Sequence, residues 1–113
     1  MPEKEISALT TRFVEALSPS KVYLFGSFAS GTPRADSDYD FYIVVDDSQT
    51  DWHAQAVKAY KAIRHIRTRP VDILVGTCSQ FEIRKAAPTI ENEVYSKGVL
   101  LYDAANTAFR PLA

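Results

Sequence analysis

Two aspartates, Asp38 and Asp40, open an apolar run in which acidic residues are not expected. The run reaches Val45 through aromatic and β-branched residues, which are typical of a β-strand. Because alternate residues of a strand point to the same face, the sequence predicts both carboxylates on one side of a sheet, with Cα atoms about 6.5 Å apart. Carboxylates this close repel each other, and a hard divalent cation such as Mg²⁺ would relieve the repulsion.

A Gly-Ser turn, Gly26-Ser27, ends the preceding apolar run, which extends from Lys21 to Phe25. Glycine allows a ligand to approach the backbone closely, and the first N–H groups of a following helical turn attract anions. The hydroxyl of Ser27 could donate a further hydrogen bond to a phosphate oxygen. The alternative is an ordinary turn with a serine cap. In combination with the aspartates, the turn predicts a phosphate-binding site.

A third acid, Asp72, lies inside the apolar run that begins at Val71. If this run forms a strand next to the one that carries Asp38 and Asp40, the three acids can share one face. The alternative for Asp72 is a salt bridge to Arg34 or to the arginines between 64 and 69. Three such acids could hold two metal ions for an in-line phosphoryl displacement, with Asp38 and Asp40 binding both ions. Asp72 would bind the ion nearer the attacking hydroxyl and help to remove its proton.

Hydrophobic periodicity divides the chain into alternating helices and strands. Helices are predicted at 3–17, 27–30, 51–67, 79–87 and 89–97, and strands at 21–25, 39–45, 71–75 and 99–102. This order, with short connections, predicts an α/β or α+β fold in which helices flank a small mixed central sheet. The predicted buried face of the long helix comprises Trp52, Val57, Tyr60, Ile63 and Ile66.

Length and composition restrict the classes of protein that this chain can represent. Its 113 residues, 46% of them apolar, predict a single domain over 1–113. A net charge of −1 gives no general reason to expect nucleic-acid or membrane binding. Cys78 is the only cysteine, which excludes an internal disulfide and favours a cytoplasmic location. A local basic run is either a solvated helix face or a contact for an acidic partner or RNA; it comprises Lys58, Lys61, Arg64, Arg67 and Arg69.

Two residues between the halves of the motif have alternative roles. Arg34 could contact a triphosphate through its guanidinium, or it could fix the loop through a salt bridge to Asp36 or Asp38. Ser37 could orient the first acid by a hydrogen bond, or it could serve only the turn.

The complete pattern resembles the DNA polymerase β-like nucleotidyltransferase superfamily, and within it the small stand-alone minimal nucleotidyltransferases. Their order of Gly-Ser, Asp-x-Asp and a later third acid is present here as Gly26-Ser27, Asp38-Tyr39-Asp40 and Asp72. The segment GSFASGTPRADSDYD and the tail EVYSKGVLLYD extend the resemblance over about residues 20–103. It implies Mg²⁺-dependent transfer of a nucleoside monophosphate, usually AMP from ATP, to a hydroxyl, with release of pyrophosphate. Gly26, Ser27, Arg34 and Ser37 would then contribute to nucleotide binding.

The resemblance also implies a partner. Minimal nucleotidyltransferases often act as antitoxins that attach AMP to a tyrosine of an all-helical HEPN toxin. Two alternatives remain open. The chain could neutralise its partner by binding alone, or it could modify a small molecule such as an antibiotic, which would require a homodimer to build the acceptor cleft.

Overall fold

The computed structural model describes residues 3–106, in which helices pack on both faces of one four-stranded sheet. The helices are α1 (Glu3–Leu17), α2 (Ser27–Ser30), α3 (Trp52–Ile63), α4 (Cys78–Arg84) and α5 (Ile90–Lys97). The strands are β1 (Lys21–Phe25), β2 (Tyr39–Val45), β3 (Val71–Thr77) and β4 (Val99–Asp103). The sheet order is β3-β2-β1-β4, with β2 parallel to β3 and the other pairs antiparallel. The mixed sheet confirms the predicted fold class.

The face of the sheet that α1 and α3 cover contains the larger core. Phe13 of α1 meets Phe41 of β2 edge to face, with ring centroids 5.0 Å apart. Ile6, Leu9 and Leu17 complete the buried stripe of α1, as their helical spacing predicts.

The opposite face packs against α4 and α5 through a smaller aromatic cluster. Tyr23 stacks on Phe81 of α4 with ring centroids 5.3 Å apart. Tyr42 donates a hydrogen bond of 2.9 Å from its hydroxyl to buried Glu91, which also accepts one of 2.9 Å from the Nε of Arg84. Burial would raise the pKa of Glu91, but a hydrogen bond from its own backbone N–H, together with those from Tyr42 and Arg84, outweighs burial and lowers the pKa. The polar contact therefore fixes α5 on the half of the sheet that these helices cover.

The predicted buried face of the long helix is confirmed at Ile63, and Ile66 packs partly buried against the core, but the prediction is wrong at Trp52, Val57 and Tyr60. Gln55, Ala59 and Ile63 face the core, whereas Trp52 is 59% exposed and Tyr60 is 43% exposed. Apolar residues occur almost all round this helix, so spacing alone does not identify the buried side. Small Ala59 is fully buried where α3 packs beside α1, and the bulky side chains point outward. The helix also ends at Ile63 rather than at residue 67.

β3 is an edge strand, because it pairs only with β2 within the described sheet. On its free side, the backbone N–H of Ile73 donates a 3.0 Å hydrogen bond to the hydroxyl of Tyr60. The side chain of Tyr60, from α3, thus occupies part of the free hydrogen-bonding edge of β3. None of the helices within residues 3–106 combines the length and apolar character needed to cross a bilayer.

Candidate active site

Asp40 and Asp72 lie directly opposite each other on the parallel strands β2 and β3. Partners in such a register project from the same face of the sheet, so the two carboxylates are neighbours. The backbone N–H of Tyr39 donates a 3.1 Å hydrogen bond to the carbonyl of Pro70, which fixes this register at the first residues of both strands. The predicted adjacency of these strands and of their acids is therefore present.

Asp40 lies close to the negative charges of Asp72 and Asp38. Its pKa is raised from the ordinary value of 3.8 to about 6, first by burial and then by the charges of Asp72 and Asp38. All three carboxylates therefore interact at the same end of the sheet. Asp72 itself is exposed, so this end is open to an incoming ligand.

Gly26 brings the Gly-Ser turn against the same carboxylate. Its backbone adopts φ 76° and ψ −156°, a combination that is essentially restricted to glycine. A Cβ atom at this position would overlap the Oδ2 of Asp40, since the turn and the carboxylate are in direct contact. The short helix α2 begins at Ser27 immediately after this turn. The two halves of the sequence motif thus meet in space.

Arg34 and Ser37 lie in the loop before β2, where they form a turn. The backbone N–H of Arg34 donates a 2.7 Å hydrogen bond to the Oγ of Ser37, and the N–H of Ser37 donates one of 3.1 Å to the carbonyl of Arg34. Ser37 therefore closes a turn, and within residues 3–106 its hydroxyl is hydrogen-bonded to the N–H of Arg34 and not to Asp38. Arg34 is exposed and, among the described residues, makes no salt bridge with Asp36 or Asp38. Its guanidinium is left accessible to a ligand.

Arg69 contacts the motif in a way that the sequence did not predict, since it was expected only in the basic run or as a salt-bridge partner of Asp72. Its guanidinium packs over the rings of Phe28 and Tyr39, at 5.0 and 5.3 Å from their centroids. Its Nη1 donates a 3.0 Å hydrogen bond to the carbonyl of Ser37. Phe28 follows the Gly-Ser turn, and Tyr39, the first residue of β2, lies between Asp38 and Asp40. Arg69 thus links both halves of the motif from behind the sheet. The sequence places Arg69 directly before Pro70, a position unfavourable for a helix, but it does not indicate the contacts with Phe28 and Tyr39.

The donor set suits a hard cation. Asp38, Asp40 and Asp72 offer carboxylate oxygens, and a divalent ion would offset the repulsion that raises the pKa of Asp40. The side chains are not already gathered as a ligand cage, since no group of three or more such residues between 3 and 106 is arranged to hold an ion. The metal-binding role of the three acids therefore stays a prediction.

Comparison with known proteins identifies a family. The sequence profile described as "Polymerase beta, Nucleotidyltransferase" matches residues 8–107. A comparison with curated protein sequences returned no significant match.

Solved structures share the fold at low sequence identity. A Sulfolobus solfataricus protein assigned to the nucleotidyltransferases is 20% identical, with a TM-score of 0.63 over 95% of this chain and 87% of its own. A toxin–antitoxin structure with AMP-PNP is 22% identical, with a TM-score of 0.54 over 86% of this chain and 73% of its own. A mutant MntA–HpeT toxin–antitoxin is 21% identical, with a TM-score of 0.53 over 91% and 74%.

Proposed function

The chain belongs to the polymerase β-type nucleotidyltransferase family, and we propose that it transfers AMP from ATP to a hydroxyl group of a partner protein. One observation carries this proposal. Asp40 lies opposite Asp72 in the register of the sheet and is in contact with the backbone of Gly26, so acids and phosphate-binding turn share one end of the sheet. Such a site needs both parts, because a nucleotide must be held by its phosphates while charge on the reacting group is neutralised.

We assign each residue of the site a role from its position. Gly26 and Ser27 would bind the β- and γ-phosphates through backbone N–H groups and the serine hydroxyl. Asp38, Asp40 and Asp72 would hold two Mg²⁺ ions, whose chemistry is to neutralise the phosphates and polarise the reacting oxygens. Arg34 would add a guanidinium contact to the triphosphate, and Ser37 would keep the intervening turn in shape.

The proposed transfer requires only ATP and the acceptor hydroxyl as reactants. The acceptor oxygen forms a bond to the α-phosphorus of ATP while the bond to the leaving pyrophosphate oxygen breaks. Asp72 accepts the proton of the acceptor hydroxyl, and this proton leaves with solvent or pyrophosphate. The exposed position of Asp72 at the edge strand favours this role, because a bulky acceptor can reach it.

A HEPN toxin is the partner that we propose, with one of its tyrosines as the acceptor. The chain would then act as the antitoxin in the cytoplasm. Two structural neighbours are toxin–antitoxin proteins: one was solved with AMP-PNP, and the other carries Asp-to-Glu substitutions at two positions separated by a single residue. That spacing is also the spacing of Asp38 and Asp40 in this chain.

The test is label transfer from α-labelled ATP to the HEPN protein encoded by a neighbouring gene, in the presence of Mg²⁺. The wild-type chain should label that protein, and EDTA should abolish labelling. Asp38→Asn should reduce labelling by at least about 100-fold, whereas Asp36→Asn, an exposed acid in the adjoining loop, should retain it. No labelling by wild type, or full labelling by Asp38→Asn, contradicts the proposal. Neutralisation of the toxin by Asp40→Ala at equal protein levels would instead show that binding alone suffices.

A further inference from the structure

A groove on the α3 side of β3 has an apolar floor. Its volume is about 540 Å³. The floor includes Val57, which is 38% exposed, and Tyr60, with Pro70 and Val71 on the opposite wall. These side chains come from the flank of α3 and the start of β3. Apolar surface of this kind favours an apolar occupant.

The rim of the groove is basic. Lys61, Arg64 and Arg67 line it at helical spacing and all three are exposed. Residues 52–71 contain five Lys or Arg residues and no Asp or Glu, in a chain whose net charge is −1. The ion pairs within residues 3–106 are Arg84–Glu91 and Lys85–Glu82, so the rim cations have no acidic partner in that part of the chain.

The groove lies at the same end of β3 as the candidate active site. Val71 contributes to its wall, and the next residue, Asp72, projects from the opposite face of the same edge strand. A molecule seated in the groove is therefore separated from the acids only by the thickness of one strand. Because β3 is the sheet edge, a partner segment can pass around it without crossing the sheet.

We propose that this groove docks an acidic amphipathic helix of a partner protein. The helical part of this wall, from Val57 to Ile63, extends roughly 9 Å, or nearly two turns of helix, and the rim continues past the end of α3 to Arg67. Apolar side chains at helical spacing would fill the floor, and flanking carboxylates would pair with the rim. A protein fits better than RNA, because the cations surround an apolar floor instead of forming a continuous positive track. That the docked protein is also the AMP acceptor rests on the function proposed above.

The first test measures binding without nucleotide or metal. The probe is a fluorescent synthetic helix of about 18 residues, with leucines at helical spacing flanked by glutamates, and its counterpart in which lysines replace the glutamates. Fluorescence anisotropy should show saturable, salt-sensitive binding of the acidic peptide and at least about tenfold weaker binding of the basic one.

A pair of double variants tests the location. Lys61→Glu/Arg64→Glu should weaken binding of the acidic peptide by at least about tenfold, because two attractions become repulsions. Arg12→Glu/Lys97→Glu changes net charge equally at exposed positions on α1 and α5, and it should leave binding within about twofold. Circular dichroism of both variants checks that they remain folded.

The outcomes are distinct. No saturable binding of the acidic peptide, equal binding of both peptides, or equal loss in both double variants overturns the proposal. Tighter binding of an RNA oligonucleotide that displaces the acidic peptide would assign the site to nucleic acid and also overturn it. These measurements contain no ATP, so label transfer can fail while peptide binding succeeds, and the reverse. If the partner protein is labelled, Lys61→Glu/Arg64→Glu should raise the KM for that protein and leave the KM for ATP unchanged.

Discussion

Replacing Asp40 by asparagine should stabilise the metal-free protein at neutral pH while it removes activity. The pKa of Asp40 in the folded protein is about 6, against an ordinary value of 3.8. A shift of this size corresponds to at most about 3 kcal/mol of unfavourable free energy for the charged form. Because the carboxylate is only partly buried, solvent screening reduces this value, and we expect a gain of about 1–2 kcal/mol from Asp40→Asn.

The gain should depend on pH in a defined direction. The folded state binds the Asp40 proton more tightly than the unfolded state, so the contribution of Asp40 to stability is most favourable below about pH 4 and becomes unfavourable as pH rises to about 6. Above that pH the penalty is complete. Asp40→Asn lacks this titration, so its advantage over wild type should be present near pH 7.5 and largely absent near pH 4.

The assay is urea unfolding in EDTA at these two pH values, supported by thermal unfolding. The expected gain near pH 7.5 corresponds to a midpoint about 4–8 °C higher. Asp36→Asn, which removes an exposed loop charge, serves as the matched control and should change stability much less. Equal stabilities of wild type and Asp40→Asn near pH 7.5, or the same gain near pH 4, would refute the electrostatic reasoning.

Three further substitutions test other contacts. Gly26→Ala should cost about 1–3 kcal/mol of stability and most of the label transfer, because its Cβ overlaps Asp40; Gly31→Ala, at φ 78° with open space around the site, should cost stability but retain transfer. Arg69→Ala should lower kcat about 100-fold with little change in the KM for ATP, because loss of its contact with Tyr39 would misplace the adjacent aspartates, and misplaced catalytic groups slow the reaction more than they weaken binding. Arg69→Lys should recover part of the activity. An unchanged kcat in Arg69→Ala would contradict this role. Tyr42→Phe should reduce the free energy of unfolding in urea by about 1.5–3 kcal/mol, because its buried carboxylate partner loses a hydrogen bond; a much smaller loss would mean that the bond contributes little.

Continuous apolar runs with clear boundaries were sufficient to predict part of this fold. The bounds of β1 and β2 agree with prediction, because a turn or charged segment limits each run. Periodicity is not sufficient for α3: its apolar residues point in several directions, and packing against α1 places Ala59 in the core and leaves Trp52 outside. Tertiary contacts determine which side of such a helix is buried, and these contacts cannot be read from a single sequence.

The candidate site was predictable to a similar degree. Sequence spacing places Asp38 and Asp40 on one face, but the position of Asp72 depends on strand order, which spacing alone does not determine. The structure provides that order and with it the register of Asp40 and Asp72. Arg69 could not be assigned from the sequence, because its contacts with Phe28 and Tyr39 join residues that are far apart in the chain.

The hydrogen bond from Ile73 to the Tyr60 hydroxyl also bears on self-association. Open sheet edges allow identical chains to add strands to one another and to form aggregates at high concentration. The hydroxyl oxygen of Tyr60 already accepts a hydrogen bond from one of the backbone N–H groups that an added strand would need. The residue that contributes its ring to the basic-rimmed groove therefore also helps to keep neighbouring copies of the molecule apart.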